Sequence, residues 1–217
     1  MNVEQARFNM IEQQIRPWDV LDDGVLSLLA VVKREDFVPS DYKSLAFVDT
    51  EVPLPEGECM LAPRVEARLL QELQVQRHEK VLEVGTGSGY VAALLGHKAQ
   101  QVHTMEIKPT LAKLAAQNLK KAAVFNVTVH QADGSAGLPA EEPFDAILLS
   151  GSVAEVPQAL LDQLKPGGRL VAIVGQLPVM VAERITRTPE GRFEREALFD
   201  TVAPRLIGFA EPPRFKF

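Results

Sequence analysis

The stretch Glu83-Val84-Gly85-Thr86-Gly87-Ser88-Gly89-Tyr90 sets three alternating glycines after an apolar run, VLEV, and before a helix-like run, YVAALL. Glycine reaches positive φ cheaply and lets a ligand come close to the backbone. The loop therefore reads as a ligand cradle on a strand-to-helix turn. A dinucleotide loop is spaced G-x-G-x-x-G, whereas this one is G-x-G-x-G, with Tyr90 where the third dinucleotide glycine belongs. An acid, Glu83, stands two residues before the first glycine. A carboxylate there repels a pyrophosphate and suits a cationic ligand.

S-adenosylmethionine carries a sulfonium and an ammonium and no phosphate. The E-x-G-x-G-x-G arrangement resembles motif I of the class I S-adenosylmethionine-dependent methyltransferases. Two further acids fall at strand ends that suit this reading. Glu106 closes the strand HTMEI, where a carboxylate can accept both ribose hydroxyls. Asp133 and Gly134 follow the strand NVTVH, where a side-chain acceptor and a backbone N–H can read adenine. The expected cofactor set is Glu83, Gly85, Thr86, Gly87, Ser88, Gly89, Glu106, Asp133 and Gly134, with no metal.

The elements that must position these residues are legible as periodicities. Apolar residues recur at helical spacing over 3–15 (Val3, Phe8, Ile11, Ile15) and 22–34 (Val25, Leu28, Leu29, Val32). A proline-punctuated stretch follows, and Pro63 opens a helix that buries Val65, Leu69, Leu70 and Leu73. From residue 80, strand and helix alternate: KVLEV, SGYVAALLGH, QVHTMEI, PTLAKLAAQNLKKA, NVTVH, FDAILLS, VPQALLDQL, GRLVAIVG. The strands read as too apolar for a solvated face, which predicts a parallel sheet covered on both sides. VMVAERITRT, a turn at PEG and RFEREALFDTVAP predict an antiparallel hairpin at the sheet edge. The expected fold is α/β: a doubly wound, mostly parallel Rossmann-like sheet in a single domain over 1–217. Residues 1–78 form a helical cap and substrate lid, and 79–217 the cofactor-binding core.

With 217 residues, a net charge of −6 and 46% hydrophobic residues, the chain reads as a globular protein without a global basic field. Nucleic acid is thus a poor partner, and no apolar stretch is long enough to span a membrane. One cysteine, Cys59, and an N-terminus lacking a signal-peptide core point to the cytoplasm. Oligomeric state has no signature here. His78, His97, His103 and His130 show no metal or triad spacing and read as surface or helix-end residues. Cys59 has no companion base and reads as a small hydrophobe, and Trp18 as a residue packing cap on core.

Beyond the glycine loop, the chain resembles the protein-L-isoaspartate O-methyltransferase family over nearly its whole length. REDFVP, LAFVDTEVPLPEGECMLAP, KVLEVGTGSGYVAALL, NVTVHQADG, PFDAILLS, EVPQALLDQLKPGGRLVAIVG and the closing hairpin carry the resemblance. It implies methylation of the carboxylate of isoaspartyl residues in damaged proteins. It also implies a lid at 53–63 and a substrate-flanking segment at 199–205, FDTVAPR. The family lid resembles G-x-T-I-S-x-P, with hydroxyls at the reacting carboxylate. In the same register this chain has Cys59 for the threonine and Leu61 for the serine, and Leu61 donates no hydrogen bond. Cys59, Leu61 and Ser150 are the positions expected to line the methyl-transfer site. Either the apolar lid faces a neutral acceptor, or it packs inward while backbone N–H groups or Ser150 supply the donor. Three functions compete accordingly: isoaspartyl methylation, methylation of a different acceptor such as a small molecule, and cofactor binding with little turnover.

Overall fold

The structure is a computed structural model that describes residues 2–211. The chain opens with α1 (Val3–Met10), a π-helical turn over Ile11–Ile15, and α2 (Asp23–Val31). Asn2 and Asp22 cap these two helices through side-chain oxygens on early N–H groups. Val3 and Phe8 do not face inward as their spacing predicts, and both are exposed. Ile11 and Ile15 are buried as their spacing predicts, within the one-turn π segment, and Met10 and Arg7, which pairs with Glu35, are buried with them.

Two short strands, β1 (Val52–Pro53) and β2 (Cys59–Met60), pair antiparallel within the segment expected to be the lid, and α3 (Pro63–Leu73) follows. Pro63 sits in the first turn of α3, and Val65, Leu69, Leu70 and Leu73 are all buried. Strand and helix then alternate: β3 (Lys80–Val84), α4 (Tyr90–Lys98), β4 (Gln101–Glu106), α5 (Pro109–Lys121), β5 (Val127–Gln131), β6 (Phe144–Val153), α6 (Gln158–Asp162) and β7 (Leu164–Gln176). β8 (Val179–Arg187) and β9 (Phe193–Thr201) close the sheet as the expected hairpin.

The seven-stranded sheet has the order β5-β4-β3-β6-β7-β8-β9. Strands β3 to β7 run parallel, and β8 and β9 are antiparallel to their neighbours. Winding proceeds outward from β3 through β4 to β5, then restarts on the other side at β6. The carboxyl ends of β3 and β6 therefore flank the switch point where open α/β sheets bind ligands. β5 departs from the expected two-sided burial. As an edge strand it leaves Thr128 and Gln131 exposed.

Past β9 the chain doubles back over the sheet. Ser152 N–H donates to the Pro204 carbonyl at 2.7 Å and Leu206 N–H to the Ser152 carbonyl at 2.9 Å. This return lays residues 205–207 against the end of β6. A continuous buried apolar cluster joins Ile15, Leu29 and Leu70 of the N-terminal segment to Val81, Ala146 and Val171 of the sheet. Trp18 meets Phe199 of β9 edge-on at 6.4 Å, the packing role expected of it. Among the described residues, no helix is long and apolar enough to cross a membrane.

Candidate active site

The glycine loop leaves the end of β3 and enters α4. Gly85, Gly87 and Gly89 have φ of 94°, 54° and 85°, in the left-handed region that disfavours side chains. At Gly89 an added Cβ would also lie 3.2 Å from the Ala115 backbone of α5. The turn therefore brings α4 onto α5 while presenting bare backbone to the cleft. Thr86 and Ser88 are buried, Thr86 bonding Thr104 between hydroxyls at 2.6 Å and Ser88 accepting from Asn118 at its carbonyl.

Glu83 is fully buried at the end of β3. Thr104 Oγ1 donates to Glu83 Oε2 and Ser150 Oγ to Glu83 Oε1, each at 2.7 Å. Ser150 reaches it because the β6–β7 register shifts between Leu148 and Ser152, a bulge that turns the strand at this point. Burial pushes Glu83 up to about 7, and the two hydroxyls offset only part of that rise. Glu106 ends β4. Its Oε2 accepts from Gly87 N–H at 2.8 Å and its Oε1 from Lys108 N–H at 3.0 Å. It too is raised, burial outweighing the backbone donors. Each oxygen keeps a lone pair for a further donor.

A cleft runs over these strand ends, walled by Gly85, Gly87, Glu106, Gly134, Ser150 and the returning Leu206, among others. Gly134 is buried, and a Cβ there would fall 2.5 Å from Val84 Cγ1, so only glycine lets the loop after β5 close on β3. Asp133 is less committed to the cleft than the sequence implies. It is exposed, accepts from Ser135 N–H at 2.8 Å, and faces Gly208, where a Cβ would lie 2.6 Å from Oδ1. Arg205 belongs to the 199–205 segment that the resemblance places beside the substrate, whereas Leu206 and Ile207 join the wall only through the chain reversal after β9.

Above the cleft lies the lid. Leu54 N–H bonds the Glu58 carbonyl at 2.8 Å, and a Cβ at Gly87 would lie 3.3 Å from Leu54 Cδ1, so the lid rests on the glycine loop. Lys108 Nζ reaches both the Glu56 carbonyl (2.7 Å) and Glu58 Oε1 (2.6 Å), tying the lid to the end of β4. Met60 and Leu61 are buried, so the lid packs inward. Cys59 is half-buried and its thiol is pushed up to about 12, by burial first and then by Glu51, Glu58 and Glu66. It remains a protonated thiol rather than a nucleophile. Ser150 gives its proton to Glu83 and so has none left for an acceptor.

The histidine expectation fails in one place. His103 and His130 stack with ring centroids 5.2 Å apart, and His103 Nδ1 lies 3.0 Å from His130 Nε2. Register explains it: His103 pairs with Thr128, which puts His130 two residues on and on the same sheet face. His103 is buried and held below the usual imidazole range by desolvation.

The residues suit a cationic adenosyl ligand on structural grounds. Glu83 and Glu106 are both raised first by burial, and Glu83 has hydroxyls and no cation among its hydrogen-bond partners, so a bound cation would favour its ionised form. Comparison with known proteins points the same way. The family model for protein-L-isoaspartate(D-aspartate) O-methyltransferase (PCMT) matches residues 5–202. A protein-L-isoaspartate O-methyltransferase of Koribacter versatilis is 42% identical over 202 residues, covering 93% of this chain and 90% of the relative. One from Methanoculleus marisnigri is 39% identical over 204 residues, covering 94% and 92%. A solved Plasmodium falciparum structure shares the fold with a TM-score of 0.80 at 22% identity, covering 94% of this chain and 97% of that one. It is described as a PCMT in complex with S-adenosyl-L-homocysteine.

Proposed function

Because the chain belongs to the protein-L-isoaspartate(D-aspartate) O-methyltransferase family, we propose that it methylates the free carboxylate of isoaspartyl residues in proteins, with S-adenosylmethionine as the methyl donor. The observation that carries this reading is the pair of buried carboxyls, Glu83 and Glu106, at the two strand ends beside a glycine loop held at positive φ. Glu83, Glu106, Gly134 and the 85–89 loop, with Thr86 and Ser88, would hold the cofactor, and Asp133 would complete the adenine side. Bound S-adenosylmethionine supplies a methyl group on a sulfonium.

The chain's own task is modest. A carboxyl with a pKa of about 4 is already ionised at neutral pH, so no catalytic base is required. The protein positions the carboxylate and excludes water, which raises the rate by orienting the reactants and removing hydration from the nucleophile. The inward-packed Met60 and Leu61, latched through Lys108, form the water-excluding roof. We place the activity in a single domain over 1–217, supported by the apolar core that cap and sheet share, and in the cytoplasm.

Transfer of labelled methyl to an isoaspartyl peptide and to its aspartyl counterpart tests the reading. A base-labile methyl ester is expected on the isoaspartyl peptide only. Equal labelling of both, or of neither, contradicts it.

A further inference from the structure

Between the lid and the sheet lies a second, smaller cavity, walled by Cys59, Leu61, Glu66, Glu83, Tyr90 and Ser150 together with the glycine loop. Glu66 lies outside the cofactor set expected from the sequence, though it shares this cavity with Glu83. It lies on the buried face of α3, and its Oε2 accepts from Arg34 Nη1 at 3.1 Å. Arg34 is itself wholly buried, and its Nη2 donates to the Leu61 carbonyl at 2.8 Å. One guanidinium thus links the lid residue that cannot donate a hydrogen bond to an acid beside the same cavity. The titratable groups around Glu66 are Arg34 before the lid, Cys59 on β2, Glu83 on β3 and Tyr90 on α4. Farther out, Arg7 and Glu35 pair with each other.

Resting on the isoaspartyl reading, we propose that Glu66, as the neutral acid, donates to the acceptor carboxylate the hydrogen bond that Leu61 cannot, with Arg34 as the buried counter-charge. A protonated carboxyl has one O–H donor and still accepts at its other oxygen. Oε2 can keep the Arg34 bond while Oε1 presents the proton. In that state the Arg34 charge has no anionic partner until the acceptor carboxylate enters. Once Glu66 ionises, it neutralises Arg34 and sets a like charge beside the acceptor. Burial pushes Glu66 up to about 7, with Arg34 pulling against it, so both forms are accessible near neutrality.

Steady-state kinetics on an isoaspartyl peptide from pH 6 to 9 tests this, with the parent, Glu66→Gln, Glu66→Leu and Glu66→Leu/Leu61→Ser. In the parent, KM for the peptide should climb about 10-fold per unit above pH 7, as the neutral acid is depleted. Glu66→Gln, whose amide donates at every pH, should lose that climb. Glu66→Leu should raise KM about 10-fold or more at pH 6.5, the scale of one lost charge-assisted hydrogen bond. Restoring a hydroxyl with Leu61→Ser should recover most of that loss, while cofactor Kd stays at the parent value in both. A parent-like KM in Glu66→Leu, a retained climb in Glu66→Gln, or failure of the rescue in folded protein overturns the proposal alone. If Glu66→Leu does not fold, the Glu66→Gln profile decides. A parent inactive on every isoaspartyl peptide overturns the reading beneath it, and the proposal with it.

Discussion

Glu83 is a carboxyl deprived of water, held by two hydroxyls and no cation. Binding a cation there requires the ionised form, so S-adenosylmethionine affinity should fall as pH drops through about 7, by up to about 10-fold per unit. Calorimetry at pH 6 and 8 checks this, and Glu83→Gln should bind weakly at both. Glu83 was legible because an acid two residues ahead of a glycine loop has few other uses. Glu66 was not, since an acid on an amphipathic helix ordinarily marks the solvent face. Its signal was there, however: Glu66 shares a helical face with Leu69, Leu70 and Leu73, an acid in line with the core. The pairing of His103 with His130 had no such local signal, because it arises from strand register.

A lid at 53–63 must open before the cofactor can leave. Its contact with the body through Lys108 is made by partly exposed side chains, so each bond contributes only about 0.2–1 kcal/mol. Lys108→Ala should therefore leave the fold intact and speed cofactor release by roughly 2- to 10-fold, measured by stopped-flow displacement. An unchanged rate would mean that the lid does not gate the cleft. Element type and order from residue 80 onward were readable from the change of apolar period. The lid strands were not, being two residues long and fixed by tertiary contact with the glycine loop. The π-turn at Ile11–Ile15 likewise leaves no trace in apolar spacing.

At the scale of the molecule, two acids buried with raised pKa tilt the stability curve. Glu66 and Glu83 rise from 4.5 to about 7 on folding. Between those values the folded state binds more protons than the unfolded, so stability declines as pH rises through the window and levels off above about 7. The cofactor-free protein should lose on the order of 1–2 kcal/mol per group between pH 6 and 8. S-adenosylmethionine should stabilise it more at pH 8, where Glu83 is ionised. Thermal unfolding at both pH values, with and without cofactor, reads this out, and Glu83→Gln should flatten the difference. The sheet and its hairpin could be read from sequence, whereas the return of residues 203–207 to β6, which closes the cleft, follows no periodicity. All these expectations rest on a cradle for a positively charged adenosyl group at the ends of β3 and β4. Calorimetric titration of the purified chain with S-adenosylmethionine tests that claim most directly: one-to-one, sub-millimolar binding weakened by Glu83→Gln and by Glu106→Gln is the predicted result, and no binding at millimolar cofactor would contradict it.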